Sequence, residues 1–148
     1  MAENKVKKLI FSSSATVYGD CKQQPIPETA EIKSMSVYGS TKIATERMFS
    51  EVASKGIIDV VSLRYFNPVG AHKEKVIYEN PFDSPNNLMP RIIRVALGID
   101  HKLEVYGDDY ETKDGSGERD YIHILDLING HFSAIDYILD HKGANIFN

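Results

Sequence analysis

A chain of 148 residues fits one ordinary domain or a piece of a larger one. Its 42% apolar content, with Gly and Pro near average usage, is that of a globular protein and excludes a fibrous or disordered one. The net charge of −4 comes without a cationic block, which argues against nucleic acid or an anionic membrane surface as the main partner. A single cysteine, Cys21, rules out an internal disulfide and suits a reducing compartment, so a cytoplasmic protein is expected. The apolar run Leu9-Ile-Phe11 is too short for a signal peptide or a membrane span.

Lys8-Leu-Ile-Phe-Ser12 has the β-branched and aromatic character of a buried parallel strand. It runs into Ser12-Ser13-Ser14-Ala15-Thr16, small hydroxyl residues where a strand gives way to a loop. In open α/β sheets, ligands bind at that end of the strands. Three serines taken alone are also an ordinary polar turn. Tyr18 to Glu28 is loop, punctuated by Pro25 and Pro27.

A helix is predicted from Ser36-Val-Tyr38-Gly-Ser-Thr-Lys42 through Lys55, with Gly56 as its stop. Ile43, Met48, Phe49 and Val52 are expected to form its core-packing side. Tyr38 and Lys42 are four apart and share a face. An ammonium beside a phenol favours the phenolate, the form in which a tyrosine acts as a base. Moving a tyrosine from about 10 to about 7 takes roughly 4 kcal/mol of preferential stabilisation of the anion, more than one lysine is expected to supply. A cationic cofactor ring nearby could supply the rest. Tyr-x-x-x-Lys alone also describes a solvated surface pair.

Asp59-Val-Val-Ser-Leu-Arg-Tyr-Phe-Asn67 reads as a second strand, completing a parallel strand–helix–strand unit. Asn67 before Pro68 puts a further polar group at the same sheet edge as Ser14, or is simply a turn residue. An irregular stretch follows to Asn86. A helix is then predicted over 87–97, with Asn86 or Asn87 near its N-cap and Gly98 at its end. Its N-terminus would suit a phosphate. Lys102-Leu-Glu-Val-Tyr-Gly107 reads as a short strand and 108–117 as a solvated polar loop. An amphipathic helix is expected over 126–139 with Asp126 as N-cap, and a final strand from Ala144. The five histidines form no metal-ligand grouping, so no metal is expected.

Four stretches together narrow the reading. They are Phe11-Ser-Ser-Ser-Ala-Thr-Val-Tyr-Gly19, Tyr38-Gly-Ser-Thr-Lys42, Leu63-Arg-Tyr-Phe-Asn-Pro-Val-Gly-Ala-His72, and Gly107-Asp-Asp-Tyr through Asp114-Gly-Ser-Gly-Glu-Arg-Asp-Tyr-Ile-His123. In order, and with Asn86-Asn-Leu-Met-Pro90, they resemble the UDP-glucose (UDP-galactose) 4-epimerases, a family of extended short-chain dehydrogenase/reductases. The resemblance covers nearly the whole chain, and its last motif is far more specific than Tyr-x-x-x-Lys.

The resemblance implies an α/β fold: the later strands and helices of a Rossmann-type, NAD-binding parallel sheet, plus part of a small α/β substrate domain. It places residues 1–80 in the sheet domain, 81–122 in the UDP-sugar domain and 123–148 back in the first. It implies an isomerase that interconverts UDP-galactose and UDP-glucose through a transient 4-keto sugar, with NAD as cofactor and a UDP-hexose as substrate.

By position, Tyr38 would be the base. Lys42 would bind the nicotinamide ribose and help lower the Tyr38 pKa, and Ser14 would relay the proton of the 4-hydroxyl. Ser12, Ser13 and Phe66 would border the cofactor. Asn67, Asn87 and the Leu88 amide would contact the substrate, the last two at the diphosphate. Glu104, Val105 and Tyr106 would hold uracil, and Arg119 would grip the diphosphate with its planar fork. Asp120, His123 and Asp126 are expected to brace loops and cap.

The chain also departs from the family pattern. No Gly-x-x-Gly-x-x-Gly follows a strand, so the chain resembles only the middle-to-C-terminal portion, from about the fifth strand. It also ends before the family's last substrate-binding segment. Val37 stands where a proline is usual, and residues 72–80 replace a glycine-rich acidic segment. A parallel sheet without its early strands exposes an edge. The isolated chain is therefore expected to fold poorly, to form a homodimer, or to pair with the missing N-terminal half. The rival readings are a non-catalytic UDP-sugar-binding or truncated fragment and a related nucleotide-sugar epimerase or 4,6-dehydratase. The dehydratase is disfavoured because Ser14-Ala15-Thr16 lacks that family's acidic pair.

Overall fold

In the computed structural model, residues 1–74, 76–79 and 85–148 are described. They divide into two compact units. The first comprises Met1–Phe66 with Asp126–Asn148, and the second Asn67–Leu125. The first unit thus ends at Phe66, where the sequence placed a boundary at residue 80.

The first unit is built on a three-stranded parallel sheet. Its strands are β1 (Lys8–Ser12), β2 (Asp59–Leu63) and the last strand of the chain (Ala144–Phe147), with β2 in the middle. Lys8 pairs with Asp59 and Ser12 with Leu63; on the other side Val60 pairs with Ala144 and Leu63 with Phe147. Burial on both faces is what a near-continuous apolar strand such as Asp59-Val-Val-Ser-Leu63 requires.

Alternation along β2 sends Val61 and Leu63 one way and Val60 and Ser62 the other. Val61 and Leu63 cluster with Ala134 and Ile138 of the long C-terminal helix, with Ile10, Tyr65 and Tyr137 packed around them. The helix α1 (Val37–Ser54) covers the opposite face, where Phe49 meets Phe11 edge-on with ring centroids 5.2 Å apart. Ser36 caps α1, its Oγ accepting from Gly39 N at 3.1 Å. Lys55 ends the helix and Gly56 follows at φ +66°, a left-handed position a glycine occupies freely. Met48, expected in the core, is 52% exposed: the residues α1 buries are Gly39, Glu46 and Ala53.

The second unit carries a two-stranded parallel sheet of β3 (Asn67–Val69) and β4 (Tyr121–His123), and the helix α2 (Leu88–Ala96). The single strand expected over residues 59–67 is therefore two. The β2 ladder ends at Leu63, and the chain resumes pairing at Asn67 with a different partner. The strand expected over 102–107 does not form. Leu103 is half-buried, but Val105 and Tyr106 are 69% and 72% exposed, and no strand pairs with the segment among the described residues. An alternating pattern becomes a strand only where a ladder partner is available.

The helix α3 (Ile124–Asp140) begins two residues before its expected start, and β5 (Ala144–Phe147) follows it. Asp126 therefore lies in the first turn and is not the cap. His123 is the residue that bonds there, its Nδ1 accepting from Leu125 N at 3.2 Å. The irregular stretch expected over 69–86 lies partly outside the described residues.

Candidate functional site

In the first unit, the serine run sits where β1 gives way to a 3-10 turn over Ala15–Tyr18. Ser14 caps that turn, its Oγ accepting from Thr16 N at 3.2 Å and Thr16 Oγ1 at 3.0 Å. Both bonds use the oxygen's lone pairs, so the Ser14 proton is left to donate elsewhere. The first turn of α1 lies against this segment. A Cβ on Gly39 would stand 2.8 Å from the Thr16 carbonyl oxygen and 2.0 Å from Ser34 Oγ, so the approach is one only a glycine allows.

Tyr38 and Lys42 share the face that their spacing predicts, with Lys42 Nζ 5.3 Å from the centroid of the Tyr38 ring. Lys42 Nζ donates to the Ser12 carbonyl at 2.8 Å and lies 4.9 Å from the Phe11 ring centroid. The lysine thus has a fixed position, set by one backbone bond and two aromatic faces. The Tyr38 ring is half-exposed, and its hydroxyl has no hydrogen-bond partner among the described residues. A phenol open to a ligand, beside an immobilised ammonium, can give or take a proton. Ser12 Oγ lies 3.3 Å from His131 Nε2, and Phe66 is half-buried at the end of the unit.

One buried group here was not read from the sequence. Glu46, one turn beyond Lys42, is 6% exposed, and Arg64 at the end of β2 is 3% exposed. Arg64 donates from Nε to Glu46 Oε1 at 3.0 Å and from a terminal nitrogen to Oε2 at 2.6 Å, a two-point pairing. Its other terminal nitrogen donates to the Tyr18 hydroxyl at 2.8 Å and the Glu28 carbonyl at 3.1 Å. Ser13, 1% exposed, donates its hydroxyl to Glu46. Burial alone would pull the Arg64 guanidinium down, but its bonds to Glu46 and Tyr18 outweigh that, and it is held above its ordinary value. The available signal was a charged residue, Arg64, inside an otherwise apolar run, a type almost never fully buried unpaired.

The second unit holds a groove of about 650 Å³. Asn67, Asn87, Leu88, Glu104, Val105, Tyr106 and Arg119 all line it, so the seven substrate candidates of this unit come together in one place. Asn67 Nδ2 donates to the Asp120 carbonyl at 2.8 Å, tying β3 to the residue before β4. Asn87 is the N-cap of α2 but makes no side-chain cap bond; its Nδ2 donates instead to Glu79 Oε1 at 2.7 Å. The first amides of α2 are therefore not taken by the cap side chain, in a groove also lined by Arg91 and Arg119. Arg91 stands 6.0 Å from the Tyr106 ring centroid, and the Tyr106 hydroxyl donates to Glu104 Oε2 at 2.9 Å. An anion at the helix end and a planar ring near Tyr106 are what such a groove can take.

The NAD dependent epimerase/dehydratase family matches along residues 1–148, the full length of the chain. The chain belongs to that family. It is 50% identical over 145 residues to a UDP-glucose 4-epimerase of Yersinia enterocolitica, covering 97% of this chain and 43% of the relative. A UDP-glucose 4-epimerase of Bacillus subtilis is 46% identical over 144 residues, 97% of this chain and 42% of the relative. The crystal structure of the UDP-glucose 4-epimerase of Bifidobacterium longum in complex with NAD+ and UDP superposes with a TM-score of 0.92 at 45% identity. It matches 100% of this chain, which spans 44% of that one. The chain thus spans under half the length of the relatives it matches. No helix among the described residues is long and apolar enough to cross a membrane.

Proposed function

We propose that these residues are the catalytic portion of an isomerase that interconverts UDP-galactose and UDP-glucose. The observation that carries this reading is the set at the head of α1. A Tyr38 hydroxyl without a hydrogen-bond partner among the described residues, on a half-exposed side chain, stands beside a Lys42 ammonium pinned to the Ser12 carbonyl, with Ser14 on the adjoining segment. The relatives at close to half identity along nearly the whole chain support it.

The donor set fits the nicotinamide end of NAD. Lys42 spends one ammonium proton on Ser12 and has others for ribose hydroxyls, and Tyr38 offers a hydroxyl on the same helix face. Ser12, Ser13 and Phe66 would border the ring, Ser13 through its carbonyl because its hydroxyl is committed to Glu46 and its amide to Leu63. Bound there, NAD would supply the redox chemistry, taking up a hydride from the sugar C4 and giving it back.

The chain's own residues do the proton work. Tyr38, as the base, accepts the proton of the sugar 4-hydroxyl directly; Ser14, whose lone pairs are both taken by Thr16, donates its own proton to that oxygen and holds it toward Tyr38 without acting as the relay; Lys42 holds the ribose. In the second unit, Arg119, Asn87 and the Leu88 amide would hold the diphosphate, Glu104, Val105 and Tyr106 the uracil, and Asn67 the sugar side. We also propose a cytoplasmic location, supported by the lone Cys21, and assembly as a homodimer or with a chain bearing the pyrophosphate-binding half.

The test is Tyr38→Phe in the protein as its source makes it. Turnover of UDP-galactose should fall by a factor of about 10² or more while UDP affinity, read by calorimetry, stays within about twofold. Wild-type turnover in the variant would sink the reading. UDP binding with no turnover by the wild-type protein would leave a binding module in its place.

A further inference from the structure

Tyr38, Lys42 and Glu46 follow one another at four-residue steps and so form a single stripe on α1. Each of the last two grips a successive residue of the same segment: Lys42 the Ser12 carbonyl, Glu46 the Ser13 hydroxyl. Ser14 comes next. Arg64 clamps Glu46 from the end of β2, and its second arm reaches Tyr18 at the far end of the 3-10 turn that Ser14 opens. The backbone closes the same frame, since Ser13 N donates to the Leu63 carbonyl at 2.8 Å and Ala15 N to the Tyr65 carbonyl at 3.1 Å.

We propose that Glu46 and Arg64 are a positioning pair that fixes the Ser12–Ser14 segment against α1 and so sets Ser14 and Lys42 relative to Tyr38. This rests on the reading of Tyr38, Lys42 and Ser14 given above. Neither Glu46 nor Arg64 faces a ligand: both are buried, and every charged atom of the carboxylate and both arms of the guanidinium are occupied by protein. Their effect is geometric. Glu46 bonds to Arg64 and to Ser13 at once, so the end of β2, the serine segment and the middle of α1 can shift only together.

A buried ion pair is not needed for stability as such, because well-packed apolar side chains often replace one without loss. What it supplies is one geometry. Proton transfer from a sugar hydroxyl to Tyr38, with Ser14 donating to the same oxygen, depends on that geometry to within fractions of an ångström, whereas binding in the groove of the second unit draws on other residues.

The experiment uses the protein in the form its source makes, with Glu46→Gln, Arg64→Lys and Ser13→Ala. Glu46→Gln should lower kcat by about tenfold or more with KM for the UDP-sugar within about twofold, the signature of misplacement rather than lost binding. In the protein without substrate, amide hydrogen exchange should quicken in residues 12–19 while the centre of β2 and α3 exchange as in the wild type. Arg64→Lys, which keeps the charge but not the fork, should show the same split. An unchanged kcat, or a fall in kcat matched by faster exchange throughout the first unit, would overturn the proposal.

Should Glu46→Gln fail to fold, Ser13→Ala decides, because it removes one hydroxyl and leaves the Glu46–Arg64 pairing in place. Its kcat should fall with KM held, and an unchanged kcat overturns the assignment. If the wild-type protein shows no epimerase turnover, the function proposed above fails by itself. The exchange data then test the positioning alone: quickening confined to residues 12–19 supports it, and its absence defeats it.

Discussion

Glu28 lies where three separate parts of the first unit are tied together. Its carboxylate accepts from Asn148 N at 3.1 Å, its carbonyl accepts from Arg64, and Asn148 in turn accepts from Tyr18 through Oδ1 at 2.7 Å. The Asn148 amide, more than any other group, holds the Glu28 carboxyl below its ordinary 4.5, with Arg64 a smaller contributor in the same direction. A carboxyl with a depressed pKa in the folded state stabilises that state above its unfolded pKa, and the contribution is lost as pH falls through the folded value. Acid unfolding of the wild-type protein should therefore steepen below about pH 4.5, and Glu28→Gln should flatten that limb without changing stability near pH 7 relative to pH 6. Melting temperature followed from pH 7 down to pH 3 checks this, and an identical acid limb in both proteins would count against it. At this scale the shared face of Tyr38 and Lys42 and the place of Ser14 after β1 were legible in the sequence, because a four-residue helical step and a strand end are local facts. The sequence did not disclose the Glu46–Arg64–Ser13–Tyr18 network, whose bonded pairs lie 18 to 46 residues apart and meet only through the register of β1 on β2.

Elements proved legible where burial and period agreed. The strands β1 and β2 are dense in apolar residues and are buried or half-buried over most of their length, and α1 carries its cap and stop where composition put them, while α3 begins two residues early without Asp126 as its cap. Short elements with a distant partner were missed: β3 and β4 are three residues each and exist because they pair with one another. The 102–107 segment has the alternation of a strand but no ladder to join. Within α3 the two sides differ sharply, which makes the packing claim testable. Ile138 is 2% exposed in the cluster with Val61, Leu63 and Ala134, whereas Leu139, its neighbour, is 62% exposed. Ile138→Ala should cost about 2–5 kcal/mol of unfolding free energy through lost transfer energy and a residual cavity. Leu139→Ala should stay within about 0.5 kcal/mol. Equal losses in urea denaturation would mean that α3 does not pack on the sheet through the face described.

On the scale of the molecule, the two units differ in how they are held together. Every hydrophobic core residue among those described, from Val17 and Tyr18 through Val60, Val61 and Leu63 to Ala134 and Ile138, belongs to the first unit. In the second, α2 buries none of its residues, and Pro85 is the one buried position among those described. What organises the second unit is a thin set of polar ties, such as Asn67 to the Asp120 carbonyl and Arg94 to Asp100 at 2.7 and 2.8 Å. Ties of that kind, at exposed positions, contribute little each. Regions with few buried apolar contacts open at low free-energy cost, and binding loops are drawn from that end of the range. Amides of α2, β3 and β4 should therefore exchange with solvent well before those of β1, β2 and α1. A ligand that binds the closed form alone stabilises it by an amount that grows with its concentration over Kd, about 2.7 kcal/mol at a hundredfold excess. UDP at that excess should slow exchange by about 10² in α2 and in the residues around Arg119, and leave β2 unchanged. This separates the groove from α1 without any turnover being measured, because UDP carries no hexose for the proposed base Tyr38 to act on. Protection confined to the first unit would place the nucleotide somewhere other than the groove that Asn87, Tyr106 and Arg119 line.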